Sequence, residues 1–325
     1  MDSILVELAR LGISWETFWR IRSSVESLEQ LKDPSFVNSL RLHPSTKRKL
    51  MEADWSHRSI EMLGNLGVGF VTCFSELYPE KLFRLKAPPY VLFYRGDVEF
   101  LSGRSVAVVG SRKASVEGKE LAYSLAKDFA QRGYVVVSGL ALGIDAAAHR
   151  GALEMGRTVA VMGSSVEWVY PPENRGLYQN IVDEGLVISP FFPGTPPRRF
   201  NFPLRNRIIA AISERVVVVE AGEGSGALIT ARCAMEVGVP VAVCDLDAPG
   251  NRELLLLGAE LLEEGKKEDD GAEDAILKVL DGSPLSVDEI AVMLNIDVAS
   301  LQVRLLELEL EGRVRRLPGG FYKKA

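Results

Sequence analysis

An arginine- and phenylalanine-rich segment at residues 196–213, PPRRFNFPLRNRIIAAIS, carries side chains suited to binding nucleic acid. It contains Arg198, Arg199, Arg205 and Arg207, interleaved with Phe200 and Phe202. Arginine neutralises phosphate, and an aromatic ring can stack on an unpaired base. Three prolines predict a stiff loop that holds the basic side chains in place. The segment therefore predicts an interface for single-stranded nucleic acid; a surface loop that its aromatic residues anchor to the core is the alternative.

Three glycine-rich turns each come at the end of a short apolar run and could bind an anion. The first is GSRKAS at 110–115, the second SGLALGID at 138–145, and the third AGEGSGA at 221–227. Glycine lets the backbone approach a phosphate closely, and the N-terminus of a following helix supplies positive potential. The first turn lacks the G-x-G-x-x-G dinucleotide pattern, and the third lacks the lysine of a P-loop. Neither turn therefore predicts a nucleotide cofactor or triphosphate hydrolysis.

Asp145, His149 and Glu220 are groups near these turns that could perform acid–base chemistry. We expect Asp145 to cap a helix that begins near residue 146, and His149 to be a packing residue because no nucleophile is paired with it. In an enzyme alternative, Glu220 and Asp145 are the carboxylates of a phosphoribohydrolase-like protein that cleaves a base from its sugar. The arginine–phenylalanine segment is longer and more basic than a mononucleotide requires. We therefore predict no catalytic residue, metal ion or cofactor.

Six apolar runs predict the strands that position these turns. They are VAVVG (106–110), YVVVSG (134–139), TVAVMG (158–163), GLVIS (185–189), RVVVVEA (215–221) and VPVAVC (239–244). Helical patterns separate most of them, and such an alternation is typical of a parallel sheet that is buried on both faces. The predicted fold class is α/β, a Rossmann-like, doubly wound, mostly parallel sheet. Ligands are expected outside the carboxyl ends of its strands.

Composition and periodicity divide the chain into four segments. Residues 1–65 predict a small N-terminal helical domain of the SAM or helix-hairpin-helix kind, although LGISWETF lacks the glycine-bracketed hairpin of the latter. Residues 66–262 hold the Rossmann-like DNA-binding domain, and 263–274 form a solvated acidic linker. Residues 275–325 predict a winged-helix domain of three helices and a hairpin. Acidic residues dominate its recognition helix, 300–311, which favours protein interaction over DNA contact; they are Glu307, Glu309 and Glu311, against Arg304.

The overall composition is that of a globular protein, with 47% hydrophobic and 25% charged residues. The net charge of −6 is weak evidence against a nucleic-acid partner, because phosphate recognition depends on local clusters. No apolar run approaches the length of a membrane span, and no basic region precedes the first apolar stretch as in a signal peptide. Cys73, Cys233 and Cys244 stand far apart in apolar contexts. We expect a cytoplasmic protein with no membrane contact and with buried, reduced thiols.

The ordered motifs resemble the DprA/Smf family (DNA-processing protein A). They are VAVVGSRKAS, VVVSGLALGIDAAAHRGALEMGRTVAV, YPPEN, FPLRNRIIAAIS and VVVVEAGEGSGALITARCAMEVG, within residues 80–260. The resemblance implies a homodimer that binds single-stranded DNA and helps load the RecA recombinase in natural transformation and homologous recombination. A protein-interaction scaffold that does not bind DNA is the remaining alternative.

The same resemblance implies where DNA is contacted. The phosphate pocket of the family falls on Gly110, Ser111 and Arg112. Its basic residue before the Phe-Pro motif corresponds to Arg199, and its base-contacting aromatic residue to Phe202. The other matching positions lie in the R-N-R run and the glycine-rich turns; they are Asn206, Arg207, Gly139, Gly143, Ser225 and Gly226.

Overall fold

The computed structural model describes residues 2–55, 58–262, 271–294, 296–310 and 312–325. Contacts between residues divide the chain into two compact units, Met1–Leu262 and Glu263–Ala325. The domain boundary predicted after residue 65 falls inside the first unit and stays a prediction. Most of the predicted acidic linker, residues 263–270, lies outside the described residues. The rest of it, 271–274, begins the first helix of the second unit.

Short helices open the first unit and pack against the segment that leads into its sheet. In the described part of residues 1–65 the α-helices are α1 (Asp2–Arg10), α2 (Trp15–Arg22), α3 (Pro34–Ser39), α4 (Pro44–Met51) and α5 (Arg58–Asn65). Their apolar residues recur at helical spacing and belong to the same hydrophobic cluster as the sheet. The indole of Trp19 donates to the Pro88 carbonyl (2.8 Å), and the Tyr90 hydroxyl donates to the Ile13 carbonyl (2.8 Å). These bonds join the helices to the sheet.

Strands and helices alternate through the rest of the first unit. In chain order they are β1 (Gly69–Thr72), β2 (Val91–Gly96), β3 (Ser105–Val109), α6 (Val116–Gln131), β4 (Val135–Ser138), α7 (Ile144–Leu153), β5 (Thr158–Val161), α8 (Arg175–Glu184), β6 (Leu186–Ser189), α9 (Asn201–Ile212), β7 (Arg215–Val218), α10 (Gly226–Glu236), β8 (Val241–Val243), α11 (Pro249–Leu256) and β9 (Glu260–Leu261). The strands form one sheet with the order β1-β2-β6-β5-β4-β3-β7-β8-β9. The six predicted runs form β3 to β8, which pair in parallel, while β1 and β2 pair antiparallel at one edge. The predicted α/β fold with a mostly parallel sheet is confirmed.

The sheet is buried on both faces because side chains alternate along each strand. On β3, Val106 and Val108 belong to a cluster with α6 and α7, whereas Ala107 and Val109 belong to the cluster that includes α9 and α10. Because both faces of each strand must be apolar, the strand sequences are continuous runs of apolar residues. The three cysteines are buried and form no disulfide.

The second unit contains three helices and a three-stranded sheet among its described residues. These are α12 (Gly271–Val279), β10 (Leu285–Ser286), α13 (Val287–Leu294), α14 (Val298–Leu310), β11 (Val314–Arg316) and β12 (Phe321–Lys324). The hairpin between β11 and β12 turns where the sequence places it, with positive φ at Gly319 and Gly320. Leu301, Leu305 and Leu308 bury one face of α14. Arg304 and Glu307 form an ion pair on it (3.0 Å), and Glu311 lies outside the described residues.

Candidate nucleic-acid interface

A cavity of about 710 Å³ opens at the carboxyl ends of β3, β4 and β7. From β3, successive strands up to β6 lie on one side, and β7 to β9 lie on the other. The topological switch point is therefore between β3 and β7. The cavity is lined by most of the predicted DNA-contacting residues, namely Gly110, Ser111, Arg112, Arg199, Phe202, Asn206, Ser225 and Gly226. Gly139, Gly143 and Arg207 are not among its lining residues.

The turn between β3 and α6 offers Arg112 to the cavity, but part of its backbone is already bonded. The Ser111 N–H donates to the Glu220 carbonyl (2.6 Å), and the Ser111 hydroxyl accepts from the Lys113 N–H (3.2 Å). Gly110 has no room for a side chain, because a Cβ there would lie 2.5 Å from Ile144 and 2.8 Å from the Glu220 carbonyl. The first glycine-rich turn is therefore a tightly packed support for the exposed Arg112 guanidinium rather than an open nest of N–H groups.

The N-terminus of α6 is occupied by a carboxylate of the protein itself. The Glu220 carboxylate accepts from the Ser115 N–H (2.9 Å) and the Ser115 hydroxyl (2.6 Å), and it fills the space where a Cβ of Gly118 would stand. Its negative charge compensates the positive end of the helix. Glu220 is not a lining residue of the cavity. The carboxylate assigned to catalysis in the enzyme alternative therefore has a clear role in positioning the turn.

The turn between β4 and α7 brings two backbone segments into contact. Gly143 has φ +78°, and a Cβ there would overlap the Ser111 carbonyl. Gly139 faces a different neighbour, because a Cβ there would overlap the Arg205 guanidinium. Leu140 between them adopts a left-handed conformation with φ +57°. Such backbone is costly for a residue with a side chain and persists only where surrounding bonds enforce it.

Three buried side chains enforce this turn. His149 Nε2 accepts from the Leu140 N–H (3.3 Å), while its Nδ1 bonds the Thr158 hydroxyl (2.7 Å). The Asn174 amide donates to the Leu140 carbonyl (2.9 Å), and the Asp145 carboxylate accepts from the Ala141 N–H (3.3 Å). Burial lowers the pKa of His149 to about 3, so the ring is neutral at physiological pH. The interpretation of His149 as a packing residue is confirmed.

Asp145 corrects one sequence-based expectation. It does not cap a helix beginning near residue 146, because α7 begins at Ile144 and its N-cap is Gly143, which has no side chain. Asp145 lies in the first turn and accepts backward from Ala141 instead. Its carboxylate lines the cavity, and burial raises its pKa against the opposing charge of Arg205.

The turn between β7 and α10 is tied to α9. The Ser225 hydroxyl caps α10 by accepting from the Ala227 N–H (3.1 Å), and the Gly226 carbonyl accepts from the Asn206 amide (3.0 Å). Ser225 satisfies one of the free N–H groups at this helix N-terminus. Asn206 and Gly226 therefore join α9 to α10 along one wall of the cavity, and Ser225 caps the start of α10.

Phe202 lies on a helix, not on the predicted stiff loop. Helix α9 starts at Asn201 and includes Pro203, which is tolerated in a first turn because that N–H has no intrahelical partner. The Phe202 ring centroid lies 5.4 Å from the Arg112 guanidinium, 5.9 Å from that of Arg205 and 5.8 Å from the Tyr170 ring. A rigid helix thus presents an aromatic ring bordered by two cations.

Arg205 lines the same cavity, although it was not singled out among the four arginines of the segment. It is 4% exposed, and its Nη1 lies 3.9 Å from the Asp145 carboxylate. Burial lowers the pKa of Arg205 to about 10, which leaves it charged at physiological pH. The available signal was helical spacing: Phe202 and Arg205 stand three residues apart and share a helix face.

Arg207 lies outside the cavity. It lines a separate cavity of about 530 Å³ with Trp19, Arg84 and Lys86. A step of two residues along a helix rotates the side chain by about 200°, so Arg205 and Arg207 face opposite ways. The expectation that Arg207 lies beside the phosphate pocket is not supported by this placement, and its contact with DNA stays an untested prediction.

The rim of the cavity carries a net positive charge. Arg112, Lys113 and Arg199 are exposed lining residues, and none of them forms an ion pair with another described residue. The acidic lining residues are the buried Asp145 and the exposed Glu223. In the part of the chain that the structure describes, no group of three or more His, Cys, Asp or Glu side chains is placed to hold a metal ion. No described helix is long and apolar enough to span a bilayer.

Comparison with protein families gives two matches. The model for DNA recombination-mediator protein A matches residues 69–270, and the model for the DprA winged-helix domain matches residues 262–320. The chain belongs to the DprA family. The first match includes every predicted contact residue, and the second confirms the winged-helix prediction.

Other DprA proteins are similar to most of this chain. DprA of Streptococcus pneumoniae is 40% identical over 271 residues, which cover 81% of this chain and 95% of that protein. DprA of Bacillus subtilis is 38% identical over 203 residues, covering 60% and 68%. The crystal structure of the S. pneumoniae protein aligns with a TM-score of 0.70 over 81% of this chain and 94% of that chain. A structure of DNA processing protein A from Helicobacter pylori, solved to describe its single-stranded DNA binding mode, aligns with a TM-score of 0.55 and 31% identity over 59% and 89%.

Gly143→Ala tests whether the close approach of the two turns stabilises the fold. Gly133→Ala is the matched control, because Gly133 also has a positive φ (+85°) but has no atom within 4 Å of a Cβ. Backbone strain should affect both variants, whereas overlap with the Ser111 carbonyl affects Gly143→Ala alone. We expect Gly143→Ala to lower the free energy of unfolding by about 1–3 kcal/mol more than the control, measured by urea denaturation. Equal losses in the two variants would contradict a steric role.

Proposed function

We propose that this member of the DprA family binds single-stranded DNA in the 710 Å³ cavity and helps load RecA onto it, in the cytoplasm, during natural transformation and homologous recombination. The observation that carries the proposal is the meeting of Arg112, Arg199 and Phe202 at one cavity, although Arg112 and Arg199 are far apart in the sequence. The DNA-processing names of its relatives and the single-stranded DNA binding of the H. pylori protein support it.

The chemistry of the cavity favours a single strand over a duplex. Exposed cations at the rim suit the phosphates of any nucleic acid, but an aromatic ring on the wall needs a base that is free to stack. In a duplex, bases are paired and stacked on each other. An extended strand can place phosphates on Arg112 and Arg199 and turn one base toward Phe202.

Apart from Arg207, which lies outside this cavity, the remaining predicted contact residues divide into two groups in this proposal. Gly110, Ser111, Ser225 and Gly226 line the cavity and can meet the backbone of the strand. Gly139 and Gly143 act mainly by letting the Arg205 guanidinium and the Ser111 carbonyl approach closely. Asn206 acts mainly through its hydrogen bond to the Gly226 carbonyl. Neither carboxylate of the enzyme alternative is free, because Asp145 faces Arg205 and Glu220 is bonded to Ser115.

Fluorescence anisotropy with a labelled dT oligomer tests the proposal directly. Unlabelled single strand should displace the probe, whereas matched duplex and mononucleotide should not, because neither supplies both a phosphate track and a free base. Arg112→Ala and Arg199→Ala should weaken binding on every sequence and reduce the slope of log affinity against log salt by about 0.7 per lost phosphate contact.

Arg157→Ala is the control for the two arginine variants. Arg157 is exposed and directly precedes β5. It therefore lies at the amino ends of the parallel strands, whereas the cavity lies at their carboxyl ends. It should leave both affinity and salt slope unchanged. Displacement by the mononucleotide would instead favour the enzyme alternative, and an absence of binding even at low salt would favour a protein-interaction scaffold.

Phe202→Ala should cost about 1–3 kcal/mol of binding free energy if the ring stacks on a base. Phe200→Ala is the matched control, because Phe200 is 62% exposed and does not line the cavity. Binding isotherms of both folded variants decide the point. A loss for Phe202→Ala no larger than that for Phe200→Ala would assign Phe202 to packing.

RecA loading requires its own measurement. DNA-stimulated ATP hydrolysis by RecA, on a strand coated with single-strand-binding protein, should start sooner when this protein is present. The double variant Arg112→Ala/Arg199→Ala should lose this effect because it no longer engages the strand. An unchanged lag with the wild-type protein would remove RecA loading from the proposal while leaving DNA binding intact.

The proposal also includes the homodimer that family membership implies. On α11 and just after it, Leu255, Leu256 and Leu257 are 40%, 90% and 53% exposed. Three consecutive exposed leucines are an apolar surface that a second copy of the chain could cover. Sedimentation velocity of the full chain tests this part, and a monomer at micromolar concentration would refute it.

A further inference from the structure

Arg205 is a buried cation with unused hydrogen-bonding capacity. Its Nε and Nη1 atoms are buried and have no hydrogen-bond partner among the described residues. A buried donor without an acceptor costs about 1–3 kcal/mol, and more when it is charged. The side chain borders both the main cavity and a crevice of about 70 Å³ that Phe202 also lines. A ligand in the cavity can supply the missing acceptors.

The surroundings of Arg205 compensate its charge without satisfying its donors. The Nη1 to carboxylate distance of 3.9 Å at Asp145 is too long for a hydrogen bond but close enough for strong electrostatic attraction. Gly139 makes room for the guanidinium, since any side chain at that position would overlap it. The guanidinium therefore fits beside Gly139, and its Nε and Nη1 donors have no acceptor among the described residues.

We propose that Arg205 recognises a base rather than a phosphate: its guanidinium donates to a carbonyl oxygen of a base that stacks on Phe202. This rests on the proposed function, because it names the part of the single strand that the floor of the cavity holds. Thymine, cytosine and guanine carry such an oxygen, and adenine carries none. The cavity should therefore discriminate against adenine at one position of the strand.

The distribution of charge favours a base at this place. A phosphate beside Arg205 would also lie beside the buried carboxylate of Asp145, and like charges repel strongly where water is excluded. A base carbonyl is neutral and meets no such repulsion. Phosphates find better partners at the rim, where Arg112, Lys113 and Arg199 are exposed to solvent.

The position of Phe202 also favours a base. The Arg205 guanidinium lies over the Phe202 ring, with its carbon 5.9 Å from the ring centroid. A base that contacts that ring can therefore reach the same guanidinium. Arginine is a frequent partner of base edges, because its N–H groups match their acceptors.

The test compares Arg205→Met with the wild-type protein on dT, dA and abasic oligomers of one length, at several salt concentrations. We expect about a tenfold loss of affinity on dT, within the range for a lost base contact, and less than a twofold change on dA and on the abasic strand. The salt slope should stay unchanged, because no phosphate contact is removed. Comparing each oligomer with itself cancels differences in the stacking of the free strands.

Two further variants keep the test decisive. Arg205→Met leaves the Asp145 carboxylate buried without its partner, which destabilises a fold; Arg205→Met/Asp145→Asn removes both charges and should show the same loss on dT. Arg157→Met controls for removal of a charge far from the cavity. Thermal unfolding confirms that each variant is folded at the assay temperature.

The outcomes separate this inference from the proposed function. An equal loss on dT, dA and abasic strands, with a smaller salt slope, would make Arg205 a phosphate contact and overturn the inference. No loss on any strand in the folded double variant would make Arg205 structural and also overturn it. Failure of the wild-type protein to bind any oligomer would instead refute the proposed function.

Discussion

Close packing of backbone turns at the carboxyl ends of β3, β4 and β7 is the constraint on which the rest of the site depends. Side chains at Gly110, Gly139 or Gly143 would overlap a neighbouring turn or the Arg205 guanidinium. Because the turns touch, Arg112 is carried on a rigid support although it is exposed. Long cationic side chains lose less entropy on binding when their backbone is already fixed. The glycines therefore determine how closely the turns pack, even where they do not face the cavity.

Much of this arrangement follows from the sequence, because continuous apolar runs determine the strands and the topology of a parallel sheet determines which turns meet. Arg112, Phe202 and Ser225 could be predicted to converge on that ground alone. The contacts of Asp145 and Arg207 could not be predicted in this way. They depend on the residue at which a helix begins and on the direction in which each helix face points. A shift of two residues in where α7 begins turned an expected cap into a buried partner of Arg205. Tertiary packing determines where a helix begins, so local sequence predicts helix boundaries less reliably than it predicts the helices themselves.

The helix N-termini around the cavity are largely satisfied by the protein itself. Glu220 neutralises the start of α6, and Ser225 caps α10. A mononucleotide-binding sheet of this class uses the free N-terminus of a helix to hold a phosphate group end-on. Here the positive potential comes instead from the exposed side chains of Arg112, Lys113 and Arg199. Cations on a rim can follow a strand that passes across the cavity, whereas a helix N-terminus holds a single phosphate at one point.

Under the proposed function, the same separation would allow a chain with a net charge of −6 to bind a polyanion. Screening limits the reach of surface charge to about 8–10 Å at physiological ionic strength, so acidic residues elsewhere on the surface barely oppose a local basic rim. Within the cavity the buried Asp145 compensates Arg205, and the electrostatic attraction is therefore concentrated at the entrance. A strand attracted by its phosphates would meet a nearly neutral floor that offers an aromatic face and hydrogen-bond donors. Affinity would then depend on salt through the rim, and any selection among bases would depend on the floor, which salt affects little.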